Sequence, residues 1–256
     1  MFKSHIHRIA INKKSILALL LILTIPMLEI MQLLHYQSNS EMVFHPAFAF
    51  FLSASSIGHA PQIILFWFLP IYFLLLGSDD AIQDKKTGYR NILISKIGKR
   101  NYYLEKLGTS FIISFTVMAV SLFLNFILVS FIFRKGTFSK GILEMDQEAG
   151  TLMSFSADHP YSAVLLFTVI TCVFAGSAGL LGASMSLFFQ DAKYVYPASF
   201  FIWFLFVLRE NSIVYLFQPF AEYDWNVLLP ILYIALVVFI MIPIIVSILG
   251  IKYHED

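Results

Sequence analysis

Charge is scarce in this sequence, and cysteine is nearly absent. Only 13% of the 256 residues are Asp, Glu, Lys or Arg, about half the share found in soluble domains. With 59% of residues hydrophobic and a mean hydropathy of +0.78, a soluble fold could not cover so much apolar surface, so lipid is the expected solvent. A formal net charge of +1 excludes the broad basic face that nucleic acid requires. The single cysteine, Cys172, lies in an apolar run; an intramolecular disulfide is impossible, and a buried, inert thiol is expected. Also missing are G-x-x-x-x-G-K-[ST], H-E-x-x-H, G-x-S-x-G and any cysteine pair at metal spacing. Their absence excludes the usual phosphate loop, zinc-hydrolase and serine-hydrolase chemistries from this chain. The seven histidines, His5, His7, His35, His45, His59, His159 and His254, scatter over tails and outer loops. They read as surface or interfacial groups rather than metal ligands.

What is abundant is apolar length. Six runs approach or reach the roughly 20 residues that cross a hydrocarbon core about 30 Å thick. They cover about 16–34, 61–76, 109–133, 161–189, 194–208 and 227–251. The second and fifth are short, and the semi-apolar "HPAFAFFLSASSIGHA" offers the second extra length. The expected fold is an all-α integral membrane protein with six transmembrane helices over 16–256, preceded by an amphipathic helix over 1–15. Phe2, Ile6, Ile9 and Ala10 there fall at helical spacing, with Lys3, His7, Arg8, Lys13 and Lys14 polar between them, a pattern suited to the membrane face. The first run is too long for a signal peptide and lacks a small-x-small site, so it is expected to be retained. Thirteen Lys and Arg fall in the N-terminal segment, the second and fourth loops and the C-terminal tail; four fall in the other loops. That bias puts both termini in the cytoplasm.

Seven of the seventeen Lys and Arg sit in one polar island, "GSDDAIQDKKTGYRNILISKIGKRNYYLEKLG", Gly77 to Gly108. Asp79–Thr87 can continue the second run as a helix, and Gly88 is a natural stop. In "YRNILISKIG", Tyr89, Leu93 and Ile97 recur at i, i+4 and i+8 with Ile94 alongside, between basic shoulders, and Gly98 closes the segment. Such a helix can dock into a groove on another protein or lie flat on anionic lipid; the two glycine breaks favour docking. Tyr102 and Tyr103 suit the interface.

This arrangement resembles ABC-2-type permeases, the membrane subunits of a class of bacterial ATP-driven exporters. The likeness lies in the amphipathic N-terminus, the six runs and the loop reading "D…KKTGYRNILISKIGKRNYYLEKL". Its matching positions are Asp84, Gly88, Leu93, Arg100, and Tyr102 or Tyr103 with Lys106. The resemblance implies a cytoplasmic coupling loop over 77–108, with Asp84, Gly88, Tyr89, Arg90, Leu93, Ile94, Lys96, Ile97 and Arg100 at the ATPase-coupling surface. It implies no catalytic residue, cofactor or metal in this chain, with ATP and Mg on a separate ATPase subunit. Further expected partners are a second permease copy or a relative, and membrane lipid, in the bacterial plasma membrane. The implied cargo is hydrophobic or amphipathic: a peptide such as an antimicrobial peptide, a toxin or a lipid.

Inside the runs, Glu29 is the lone acid. It lines a substrate path, pairs with Arg209, or reaches the outer headgroups. Ala175 with Gly179, and Ala178 with Gly182, form small-x-x-x-small pairs that suit close helix packing or a hinge. "SIVYLFQPF" is too short to cross and reads as re-entrant or interfacial. The third loop, with Glu144, Asp146, Glu148 and Asp158, reads as solvated surface. An ion-coupled secondary transporter, or a non-transporting sensor or assembly protein, remains as the alternative.

Overall fold

A computed structural model describes residues 2–39, 44–53, 57–136, 151–189, 191–220 and 223–253. Glu144, Asp146, Glu148, Lys140 and His254 lie outside these. The described chain is helical throughout. Helix α1 (Phe2–Ile11) leads into α2 (Lys13–Asn39), followed by a short α3 (Pro46–Ala49). Next come α4 (Ala60–Trp67), α5 (Leu69–Phe73), α6 (Asp80–Lys86), α7 (Tyr89–Ile97) and α8 (Lys99–Ile132). The rest is α9 (Leu152–Asp158), α10 (Pro160–Phe188), α11 (Ala192–Leu208) and α12 (Trp225–Tyr253).

Four helices (α2, α8, α10 and α12) are long and apolar enough to cross a membrane. The second predicted span is broken: Ala60–Trp67 and Leu69–Lys86 meet at a 59° bend, and counting that pair as one span makes five. Helix α11 has 17 residues and reaches only about 25 Å, short of the hydrocarbon thickness. The fold is therefore all-helical and membrane-embedded, and among the described residues four helices, or five with the bent pair, are long and apolar enough to span; α11 is the remaining predicted run.

Prolines inside these helices explain much of the packing. A proline lacks an N–H, so the carbonyl four residues earlier loses its partner, a costly loss where no water can replace it. Pro26 interrupts α2, and the carbonyl of Ile22 accepts instead from Ser121 Oγ of α8 at 2.7 Å. Pro70 near the start of α5 frees the carbonyl of Phe66, which accepts from Trp203 Nε1 of α11 at 2.8 Å. Asn125, fully buried on α8, donates to the Pro26 carbonyl at 2.9 Å and accepts from the Phe51 N–H at 3.1 Å. Buried Gln62 donates to the Phe51 carbonyl. Those amides pin the irregular stretch at 46–53 that precedes the broken span.

Helices α8 and α10 form the most extensive pair in the fold. Their antiparallel contact runs along the small residues of α10, with Ala175 and Ala178 fully buried. A Cβ at Gly179 would stand 2.0 Å from Ser114 Oγ and 2.7 Å from its Cβ, and one at Gly176 would stand 2.6 Å from the Phe111 ring. Gly182 faces Leu74 and Ser78. The small-residue pairs thus serve close packing, as one of the two expected roles required. The short 3-10 turn Ile213–Phe217 dips inward, with Phe217 4.8 Å from the Phe66 ring and 5.8 Å from Phe174.

Gly179→Val is expected to lower the melting temperature in detergent, by an overpacking cost of about 1–3 kcal/mol. Ser114→Gly in the same chain should recover most of that loss. A Gly179→Val protein as stable as wild type would refute this reading of the α8–α10 contact.

Candidate functional site

The polar centre of the molecule sits on α6. Asp80 and Asp84 are four residues apart and so share one helix face, a repulsive arrangement unless cations neutralise it. Two elements, α1 and α8, supply them. Arg8 of α1 places a guanidinium nitrogen 2.7 Å from Asp84 Oδ1 and 3.5 Å from Asp80 Oδ2. Lys106 of α8 places Nζ 2.7 Å from Asp84 Oδ2 and 3.6 Å from Asp80 Oδ2. His5 Nδ1 lies 2.6 Å from Asp80 Oδ2. The Tyr102 hydroxyl donates to Asp84 Oδ2 at 3.4 Å. Asp84 is wholly buried, so both its oxygens depend on these neighbours for the partners that water would otherwise provide.

Burial by itself would raise the Asp80 carboxyl, but the His5 hydrogen bond and the charges of Lys106 and Arg8 hold it below its ordinary value. Burial likewise works against the Arg8 cation, yet its hydrogen bond to Asp84 and the charges of both acids leave it raised. Asp79 is separate: its Oδ2 accepts from the Tyr196 hydroxyl of α11 at 3.0 Å, and burial pushes its carboxyl up.

Backbone geometry brings α1 to this place. Leu74–Ser78 is a widened π-type turn, and Gly77 within it takes φ 144, a conformation that favours glycine. His5 and Ile9 close over it, with His5 Nε2 3.2 Å from where a Cβ would sit. The Arg8 guanidinium also lies 5.4 Å from the Tyr89 ring centroid. An unbroken set of contacts therefore joins α1, α6, the start of α7 and α8. A cavity of about 240 Å³ opens between them, lined by Arg8, Asp84, Leu93, Lys96 and Lys106 among others.

Helix α7 has the bounds expected, with Gly88 at φ 72 before it and Gly98 at φ 84 after it. Its orientation is opposite to the expected one. Leu93 is buried and Ile94 and Ile97 are half-buried, so most of the apolar ridge packs onto the protein's own core. Facing outward are Tyr89, Asn91, Ile92, Ser95 and Lys96, with Arg100 just beyond. Ile92, 61% exposed, is the apolar residue that sequence reasoning missed. Arg90 turns back and donates to the Tyr103 hydroxyl at 3.1 Å. Tyr102 and Tyr103 are buried rather than interfacial, because one completes the Asp84 shell and the other receives Arg90. His5 too is buried, drawn in by Asp80. Asp84, expected at the coupling surface, is instead wholly buried. Glu29 is fully buried within α2, whereas Arg209 is exposed at the end of α11. No ion pair joins those two, and among the described residues no cluster of His, Cys, Asp and Glu could hold a metal ion.

The sequence is 52% identical to the "Uncharacterized protein YybM" of Bacillus subtilis (strain 168), over 99% of this chain and 100% of that protein. The chain belongs to the YybM family. No family model and no solved structure matches it. Identity along the whole length of both proteins extends the comparison to every helix that builds the Asp84 centre in this YybM-family chain.

Removing the Asp84 charge leaves Arg8 and Lys106 facing each other across a buried space. Asp84→Asn is expected to cost about 3 kcal/mol, read as a lower melting temperature, and to expose α1 to protease. A variant with wild-type stability and an intact α1 would contradict the assigned role. Asp80 has a lowered carboxyl value when folded, so its contribution is complete above the unfolded value near 4 and lost as pH falls through the folded one. Docking of α1, followed by a fluorophore on α1, should stay constant from about pH 8 to 5 and fail only below about pH 4. Release near neutrality would count against Asp80 as its anchor.

Proposed function

We propose that this chain is the transmembrane permease subunit of an ABC exporter, coupling ATP hydrolysis on a separate ATPase subunit to movement of a hydrophobic or amphipathic substrate. The observation that carries the reading is the seating of α7. A helix of nine residues is bracketed by two glycines and backed by its own apolar ridge. It touches, through Tyr89, the ion cluster that ties α1 to α6 and α8. Force applied to its outer face passes into two apolar helices through short, charged contacts instead of dissipating in a flexible loop. On this reading the ATPase meets Asn91, Ile92, Ser95, Lys96 and Arg100, while Asp84, Leu93 and Ile97 transmit from behind.

The chain is not itself an enzyme here: ATP and Mg belong to the partner, which docks from the cytoplasm, where both termini of the permease also lie. A second copy or a related permease completes the transporter in the bacterial plasma membrane.

Co-purification from the native host tests this. A stoichiometric ATPase should accompany the tagged chain, and Ile92→Asp or the pair Lys96→Glu with Arg100→Glu should abolish its recovery without lowering the permease's melting temperature. Absence of any ATPase, under conditions that preserve a control complex, would end the exporter reading.

A further inference from the structure

The Asp84 centre balances its charges, whereas a second group of cations beside it does not. Lys85 lies half-buried on α6, and Arg90 lies half-buried on the first turn of α7. Gly88, at φ 72 between them, turns the chain so that both side chains line one cleft. Tyr102 of α8 and Ser186, Phe188 and Phe189 at the end of α10 complete it, and no acid is among its lining residues. Asp84, next in sequence to Lys85, is turned instead to Arg8 and Lys106. Among the described residues Lys85 makes no hydrogen bond or ion pair, and Arg90 makes one hydrogen bond, to the neutral Tyr103 hydroxyl at 3.1 Å.

The two cations are close enough to repel. Partial burial, and then the charge of Arg90, lower the Lys85 ammonium below its ordinary value. The end of α10 relieves some of this, since the last carbonyls of a helix carry roughly −0.5 of an elementary charge. Two cations against that helix end leave about +1.5 unmet, which one phosphodiester anion would largely cancel. A zwitterionic headgroup brings its own cation to the same place and would cancel far less.

The cleft sits at the depth where such anions are found. Ser186 Oγ donates to the Ser78 carbonyl at 2.9 Å, and Gly182 faces Leu74 and Ser78. Helix α6 starts at Asp80 and so runs past the last turn of α10. With 29 residues, α10 is about 44 Å long, matching the roughly 40–45 Å of a bilayer with its headgroups. Its end therefore lies in the headgroup layer. Phe188 there is 45% exposed, an apolar ring beside a cationic pair. The cleft encloses only about 10 Å³, room for about one water, so a ligand rests over it. A free phosphate would leave Phe188 bare, whereas a phospholipid brings the acyl chain that covers it.

We infer that Lys85 and Arg90 hold the phosphate of an anionic phospholipid at the membrane boundary, with an acyl chain laid against Phe188. Basic pockets at helix ends are suited to acidic headgroups. Bound lipid ties α6 and the start of α7 to the bilayer surface. The site goes beyond the exporter reading and does not depend on it, because binding requires no ATPase.

The test titrates the full chain, in detergent micelles, with phosphatidylglycerol carrying a diazirine near the glycerol end of one acyl chain. Labelling should saturate on 186–189. Unlabelled phosphatidylglycerol should compete, while phosphatidylcholine and glycerol 1-phosphate at the same concentration should not. Lys85→Gln should raise the half-saturating concentration about fivefold, and Lys85→Gln with Arg90→Gln about 25-fold, at about fivefold per cation. Lys85→Arg should bind as wild type, and so should Lys86→Gln, which removes an exposed neighbouring charge. Arg90 also supports Tyr103, so the single Lys85 variants read the site whatever the double variant does to stability. Labelling that never saturates, competition by phosphatidylcholine, or wild-type binding by Lys85→Gln overturns the site. An equal loss in Lys86→Gln overturns it in favour of a diffuse surface potential, and displacement by glycerol 1-phosphate in favour of a free phosphate. No ATPase enters any arm, so failure here leaves the co-purification result untouched, and the converse holds.

Discussion

A carboxylate with no access to water governs this architecture. Asp84 is wholly buried just past the apolar part of the broken span, and a lone charge there would cost several kcal/mol. The chain meets that cost by bringing a cation from either side, Arg8 from α1 and Lys106 from α8, onto different oxygens of one group. Everything nearby follows from that requirement. The N-terminal helix must lie across the turn at Gly77, the Lys106 face of α8 must turn inward, and α7 must bridge the space between them. Buried ion pairs seldom add net stability over apolar packing, but a half-complete one is strongly unfavourable. The cluster therefore favours a single arrangement of three elements and penalises partial ones.

Deeper in the molecule the same principle operates without charge. Prolines and irregular turns release backbone carbonyls where no water can reach them, and Ser121, Asn125, Gln62 and Trp203 from neighbouring helices take them up. Each such bond converts a local defect into a specific contact between helices. A bent second span is tolerable for this reason, and its bend sets the π-type turn at Leu74–Ser78 where α1 can dock.

Much of this was readable from residue order alone, and some was not. Two glycines at 88 and 98 bound α7 correctly, because a positive φ at a helix end is a local matter that glycine adopts at no steric cost. The direction of its ridge was not local. Helical periodicity shows that Leu93, Ile94 and Ile97 share a side, but not whether the protein's own core or a partner covers it. Likewise Asp84 was picked out, while its burial beside Arg8 was invisible across 76 residues of sequence. A signal was nevertheless present: Asp80 and Asp84 at i, i+4 form a like-charge pair, which calls for a neutralising partner. Asn125 and Gln62, isolated amides in apolar runs, carried a similar signal. The bend between α4 and α5 was not legible either, because composition registers total apolar length and not a change of direction at Phe68.

The separation between Arg8 and its acids also has a temporal side. A ribosome delivers His5 and Arg8 more than seventy residues before Asp80 and Asp84 emerge. During that interval α1 has no carboxylates to settle against, and two apolar segments must enter the bilayer first. Once the acids appear, they can be neutralised only on the side of the membrane where α1 is waiting, and only Lys106, made later still, completes the shell. The cluster can therefore close only if both intervening segments cross or neither does: where one crosses alone, the acids and Arg8 are left on opposite faces of the bilayer.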